Sequence, residues 1–472
     1  MILQHSHSSV TEDALLAELA RAPGSTAASL IEALGIGSQA TFSRMVTGAG
    51  ERVVAIGRAR ARRYAAAREI RGLGLAIPVY RVGIDGIVSQ VGALRPCAPG
   101  GVVLDGPAGG PRWMQGRSGN GWFERLPPFV QDLRPAGFAA AGFARAHPGL
   151  SIPDLPADWT DDDALVALAL EGEDGPGDLV LGEASVQRLY AAWSDAPRAV
   201  DAAERSRVFP ALAADAISGV TPGAWLGGAQ PKFTALVRDA DAPAAYRLVK
   251  FSPSEYSPSA RRWCDLLACE HLALETLRAH GIAASESQLV EGGSRVFLQV
   301  SRFDRIGERG RRPVVSLAAI SAEHLGLPPG AGRWNEAVGR LAKDRWVSRD
   351  AVDTVRVVDA FGRFIANTDM HLGNLSLLPG GDNRLDLAPV YDMLPMGYAP
   401  VAGDIPPREF VAPLPEPGHE TAWARAGAMA VDYWHTVARD ERVSGGFRAI
   451  AADNAIAVER ALARFGGSIA PP

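Results

Sequence analysis

The eight residues Asn367-Thr368-Asp369-Met370-His371-Leu372-Gly373-Asn374, NTDMHLGN, carry the densest set of reactive side chains in the sequence. Ahead of them Val352, Val355, Val358, Phe361 and Ile365 recur every three or four residues, which predicts an amphipathic helix. The run of short polar residues breaks that helix, and LSLL after it predicts a strand. Asp369, His371 and Asn374 are therefore expected on a loop between a helix and a strand, beside a core. Taken alone, such residues often do no more than cap and turn a chain.

The spacing argues for more. A carboxylate at Asp369 can take a hydroxyl proton, and an amide oxygen five positions on, at Asn374, can hold a Mg²⁺ ion that neutralises phosphates. This D-x-x-x-x-N pattern is that of a protein-kinase catalytic loop. A second metal-binding carboxylate should follow across a hairpin. PVYDML places Asp392 after an apolar strand, 392 − 374 = 18 residues on, with PGGDN as the turn. Upstream, GVTPGAWLGGAQPKF supplies Gly219, Gly223, Gly227 and Gly228, whose backbone N–H groups can approach a phosphate closely. The plainer reading of this stretch is a turn. AYRLVKFS then predicts an alternating strand with Lys250 near its end, within reach of a nucleotide's phosphates. A lone strand-end lysine is ordinarily just solvated. The order glycine-rich loop, Lys, Asp-x-x-x-x-Asn, Asp lifts all four above their separate readings.

The N-terminal segment reads as a different module. Thr11 can cap a helix bearing Leu15, Leu16 and Leu19; Ser25 or Thr26 a second with Leu30, Ile31 and Leu34; Ser38 a third, SQATFSRMVTG, ended by Gly48. RVVAIGRARARRYAA alternates like a short hairpin. Three helices followed by a β-wing is the order of a winged helix-turn-helix. Between residues 44 and 71 stand eight arginines (44, 52, 58, 60, 62, 63, 68, 71) against Glu51 and Glu69. That excess suits duplex DNA: Gln39, Thr41, Ser43 and Arg44 near base edges, and Arg58, Arg60, Arg62 and Arg63 on the backbone or minor groove. A solvated basic face or a dimerisation module would carry the same charge.

The 472 residues are 47% hydrophobic and 21% charged, with a net charge of −5. Large cores can form, and any nucleic-acid contact must come from a local basic patch. Cys97, Cys264 and Cys269 show no zinc spacing, and three is sparse for a secreted disulfide protein. No signal peptide or membrane-spanning run is legible, so a reducing cytoplasm is expected. The chain divides into a winged helix-turn-helix (1–75), a Gly/Pro-rich β subdomain (76–155), a lobe with the glycine-rich loop and Lys250 (156–300), which opens on a helix at TDDDALVALAL and is dominated by strands from about 200, and a helical lobe with the catalytic loop (301–472). That layout is α+β and two-lobed.

GGAQPKF, LVKFS, SRFDR, NTDMHLGN and PVYDML, in that order, resemble successive motifs of the HipA family over about residues 80–440. The resemblance implies a bacterial Ser/Thr protein kinase, the toxin of a toxin–antitoxin pair, with a divergent two-lobed kinase fold. A fused N-terminal helix-turn-helix resembles the YjjJ (HipH) branch. The implied cofactors are ATP and Mg²⁺, and the implied partners are duplex DNA and a protein substrate that the sequence does not name; homodimerisation is left open. By resemblance Asp369 is the catalytic base, Asn374 and Asp392 are the metal ligands, and Lys250, with Gly227 and Gly228, holds phosphate. His371 is the family's loop histidine, and Arg302, Phe303 and Asp304 lie beside the nucleotide, with Phe303 lining the adenine site. Two departures stand out. Trp225 falls about where HipA carries a regulatory serine, and Ser301 replaces the hinge acid. The helical partner of Lys250 is either Asp265 or Glu270. Two other readings stay open: a DNA-binding regulator with a weak or inactive nucleotide-binding kinase fold, and a small-molecule kinase.

Overall fold

The computed structural model describes residues 11–57, 61–106, 111–135, 137–195, 198–218, 230–240, 242–328, 330, 332–380 and 383–466. Gly219, Gly223, Trp225, Gly227 and Gly228 of the glycine-rich loop, and Arg58 and Arg60 of the wing, lie outside the described residues.

The N-terminal unit has helices α1 (Glu12–Arg21), α2 (Ala27–Ala33) and α3 (Gln39–Ala49), and strands β1 (Val53–Ile56) and β2 (Arg63–Ala66). Thr11, Thr26 and Ser38 each accept the backbone N–H three residues on, which closes the open first turn of each helix. α3 runs past the expected stop at Gly48 and ends at Gly50, which takes a positive φ of 54°. Leu15, Leu19, Leu30, Phe42 and Tyr64 close a small core. The hairpin pairs Val53 with Ala66 and Ile56 with Arg63. Its far face packs Val54, Ile56 and Ala65 on Cys97 and Val103 of the next unit.

That next unit is an antiparallel sheet in which β3 (Ile77–Val82), β4 (Val88–Pro96) and β5 (Val102–Asp105) are flanked by Trp122–Phe123 on one edge and β6 (Leu179–Leu181) on the other. The sheet thus extends beyond the boundary drawn at 155, because helix α4 (Asp161–Glu171) returns the chain to pair β6 with β3. α4 begins with a capping box between Thr160 and Asp163 and is buried from Asp163 to Ala169. After β6 comes helix α5 (Glu183–Ser194).

The first lobe centres on a sheet of order β9-β10-β8-β7-(Val200–Asp201), with β7 (Lys232–Arg238), β8 (Ala245–Phe251), β9 (Ser287–Gly292) and β10 (Arg295–Ser301). Helix α6 (Arg205–Ser218) packs Phe209, Ala213 and Ala216 on it. Helix α7 (Pro258–Ala279) crosses beside it. The expectation that strands dominate this region is corrected by these two helices. α7 buries most of its circumference, so no polar face marks its period, and Pro210 stands inside α6. The second lobe is built on α8 (Trp334–Lys343), α9 (Arg349–Phe364), the hairpin β11 (Ser376–Pro379) and β12 (Leu385–Leu387), and the long α10 (Glu420–Arg439) and α11 (Gly445–Phe465). One core runs from the middle sheet through α7 into this lobe. No helix among the described residues is long and apolar enough to cross a membrane.

Asp132, in the middle unit, accepts the backbone N–H and the hydroxyl of Ser316, which pairs with Ser376 of β11. Burial pushes this carboxyl up from 3.8 to about 6, against the pull of Ser316. A carboxyl raised in the folded state adds stability that is full below pH 4 and lost as pH rises through 6. Relative to Asp132→Asn, the wild-type chain is therefore expected to lose about 2–3 kcal/mol between pH 4 and pH 7, read from paired urea melts.

Candidate active site

α9 ends where Ala366 takes a positive φ of 59°, and the chain turns into the 367–374 loop. Four bonds fix the loop's shape. The Asp369 N–H donates to Asn367 Oδ1 at 3.0 Å, Gly373 N–H to His371 Nδ1 at 3.1 Å, and Asn374 Nδ2 to the Asp369 carbonyl at 2.9 Å. From outside, the indole of Trp334, first residue of α8, donates to the His371 carbonyl at 2.8 Å. With its NH₂ committed to Asp369, Asn374 keeps its amide oxygen as an acceptor. The Asp369 and His371 side chains are half exposed, with Oδ1 and Nε2 3.9 Å apart.

Asp392 lies five residues beyond β12, past a bridge of Val390 to Ala284, rather than directly at a strand end. Its backbone sits at φ 50°, a left-handed conformation that costs a non-glycine residue about 1 kcal/mol or more. Asn367 Nδ2 reaches its carbonyl at 3.4 Å. Tyr391, one residue before it, donates to the Gly373 carbonyl at 3.0 Å and meets Ser376 Oγ at 2.7 Å, tying this segment to the loop.

Lys250 is 3% exposed and joins three elements. Its ammonium donates to both carboxylate oxygens of Glu270 on α7, at 2.6 and 2.8 Å, and to Asp392. Burial disfavours its charge, but Asp392 and Glu270 outweigh that and hold its pKa up. Burial likewise works against an ionised Asp392, yet Lys250, Lys232 and His371 hold its pKa down. Of the two candidate partners, Glu270 pairs with Lys250, while Asp265 accepts from Ser444 at the start of α11. The strand, the helix and the loop thus bring together Lys250, Asp392, His371 and Asp369.

Sequence reasoning missed Lys232. It sits opposite Lys250 in the β7–β8 register, 4% exposed, with burial pulling its pKa down and Asp392 pushing it up. Part of the signal was present, since the residue is the last but one of GGAQPKF; the register of β7 with β8 then puts the two lysines on one face. Phe303 lies just past β10, its ring 5.8 Å from Tyr391. Arg302 and Asp304, expected beside the nucleotide, are buried in an ion cluster with Arg305 and Asp174.

On the N-terminal unit Gln39, Ser43 and Arg44 are exposed, and Thr41 is half-buried, its hydroxyl 3.0 Å from Ser38 Oγ. Arg62 is exposed, while Arg63 donates to the Gly24 carbonyl at 2.9 Å. The count of eight arginines overstates the free charge, because Arg52 pairs with Glu12, Arg68 with Asp162 and Arg71 with Asp163. The last two dock this unit on the acidic first turn of α4.

The description "YjjJ-like toxin, middle domain" matches residues 73–190, and "HipA-like C-terminal domain" matches residues 224–458. Toxin YjjJ of Escherichia coli strain K12 is 38% identical over 438 residues, covering 91% of this chain and 95% of that protein. Among solved structures, a chain of the Shewanella oneidensis MR-1 HipA, HipB and operator DNA complex superposes with a TM-score of 0.50 at 13% identity, over 83% of this chain and 97% of that one. The Helicobacter pylori proinflammatory kinase CtkA gives a TM-score of 0.40 at 12% identity, over 52% and 95%. With a two-lobed, kinase-like α+β fold and 38% identity across nearly its whole length, the chain belongs to the HipA/YjjJ-type toxin family.

Proposed function

We propose that this chain is an ATP- and Mg²⁺-dependent Ser/Thr protein kinase that also binds duplex DNA through its N-terminal unit. The observation that carries the first half is Lys250 gripped by Glu270 and Asp392 beside the Asp369 loop. A binding module has no use for a base at that place. The donor set fits the metal: the Asp392 carboxylate and the Asn374 amide oxygen are the hard oxygen ligands that Mg²⁺ takes. When bound, the ion neutralises the phosphate charge. The chain's own residues do the rest. Lys250 binds the phosphates and Asp369 accepts the hydroxyl proton. The acceptor oxygen forms its bond to the γ-phosphorus, the bond from that phosphorus to the bridging oxygen breaks, and ADP leaves. His371 stays on the loop as a shaping residue, its Nδ1 taking the Gly373 N–H. Incubation with labelled ATP and a cell lysate is expected to label protein with the wild type and not with Asp369→Ala. Nucleotide binding without transfer by the wild type would favour the alternative, a DNA-binding regulator with an inert kinase fold.

The DNA half is supported by α3 with Gln39, Ser43 and Arg44 outward and by the exposed Arg62. The solved chain of similar fold comes from a complex with operator DNA. In the full chain, Arg62→Ala is expected to lower the slope of log affinity against log salt by about one. Arg68→Ala is expected to leave that slope unchanged, since Arg68 serves Asp162. Equal slopes for wild type and Arg62→Ala in duplex-binding titrations would remove the wing from the interface.

A further inference from the structure

We propose that Asp174, in the acidic turn between α4 and β6, is a positioning residue for the nucleotide pocket, holding in place the segment that presents Phe303. The inference rests on the nucleotide-binding reading above and adds to it a residue from outside both lobes. β10 runs beside Lys250's strand, with Leu298 opposite Lys250, and the chain leaves the sheet at Ser301. Phe303 then faces Tyr391, the neighbour of Asp392. Where its ring sits depends on how residues 302–305 are held.

The side chains flanking Phe303 are held in an ion cluster. Arg302 binds Asp174 at 2.8 Å and Asp304 at 2.9 Å, and Arg305 binds Asp304 at 2.6 Å and Asp174 at 3.1 Å. Arg302, Asp304 and Arg305 side chains are 2%, 7% and 4% exposed. The turn reinforces the grip with its backbone: the Gly175 and Gly177 carbonyls accept from Arg305 at 2.6 and 2.9 Å, and Gly177 N–H donates to Asp304 at 2.9 Å. Arg311 adds a third guanidinium, which donates to the Glu173 carbonyl. Arg302 and Arg305 thus share two carboxylates, Asp304 from their own segment and Asp174 from outside it, while Arg311 is also near Asp178, which pairs with Arg81. Asp174 is 36% exposed, so it stands between the buried guanidinium groups and water; removing it leaves Arg302 and Arg305 with Asp304 as their shared carboxylate, and the 302–305 segment opens toward water to relieve them. Phe303 moves with its neighbours, so the loss falls on nucleotide binding rather than on the Asp369 loop.

The test is ATP affinity by calorimetry with Mg²⁺ present, with KM and kcat from the labelling assay, on the full chain. Asp174→Asn is expected to raise the ATP Kd and KM by about tenfold or more and to leave kcat within about twofold, while Asp174→Glu restores most of the affinity. Because Asp174→Asn also weakens the fold, Asp174→Ala is combined with Arg311→Met, which returns the cluster to a single excess cation. This double variant is expected to melt near wild type yet keep the raised Kd. A wild-type Kd in a double variant of wild-type stability, or a fall in kcat at unchanged KM, overturns the inference and makes Asp174 a charge-balancing residue. A wild-type chain that binds no ATP fails earlier, taking down the nucleotide-binding reading and this inference together.

Discussion

Asp392→Ala is expected to abolish ATP-dependent phosphate transfer, a loss of at least about 10³-fold, while the chain stays folded. The side chain is 28% exposed, and its bond is to Lys250. Lys250 keeps both of its bonds to Glu270. The buried Lys232 loses the carboxylate that most supports its charge, but burial already pulls its pKa down, so it sheds its proton instead of unfolding the site. What disappears is the carboxylate proposed to hold the metal. The backbone at φ 50° adds a complication, since Ala tolerates it less well than Asp or Asn. Asp392→Asn separates the two effects: it keeps the shape and the left-handed conformation and removes only the charge. Circular dichroism should show both variants folded, and labelled-phosphate transfer should show both inactive. Transfer by Asp392→Asn within tenfold of wild type would take this residue out of the metal site.

Lys250→Met has the second large effect, and it strikes stability and activity together. Glu270 is fully buried, and its partner would be gone. Breaking a buried pair from one side costs about 3–5 kcal/mol, because the remaining carboxylate loses its hydrogen-bonded partner and has no water, with only the more distant Lys232 left to offset its charge. Burial already pushes the Glu270 carboxyl up, so it takes a proton and recovers part of that cost. The double variant Lys250→Met with Glu270→Leu removes both charges and is expected to recover most of the lost stability in urea melts. It is not expected to recover any transfer. A double variant that regains activity along with stability would show the pair to be a strut and nothing more.

Much of the site was legible in the sequence because its chemistry is local. Asp369 and Asn374 share one short loop, so their spacing alone announces the pattern, and the caps at Thr11, Thr26 and Ser38 act within three residues. The glycine-rich loop falls outside the described residues, and its role rests on the sequence alone. Local signals failed in two places. α7 hides its period because water touches too little of it, and α6 carries a proline in its interior. The charge on the N-terminal unit was legible as a sum but not as a distribution. Arg68 and Arg71 spend theirs on Asp162 and Asp163, 94 and 92 residues away.

The sequence by itself determined the α+β layout and the order along the chain of the candidate residues Lys250, Asp369, Asn374 and Asp392. Tertiary structure decided which carboxylate serves Lys250. Asp265 and Glu270 lie on one helix, and only the packing of α7 against the sheet turns Glu270 to the lysine and Asp265 to Ser444. It also decided that Lys232 lies opposite Lys250 across a strand register, and that Arg302 pairs with Asp174 of an acidic turn from another subdomain. The physical reason is the same in each case. A titratable group's role is set by the charges within about 4 Å of it and by its access to water, and folding brings those together from residues far apart in the chain.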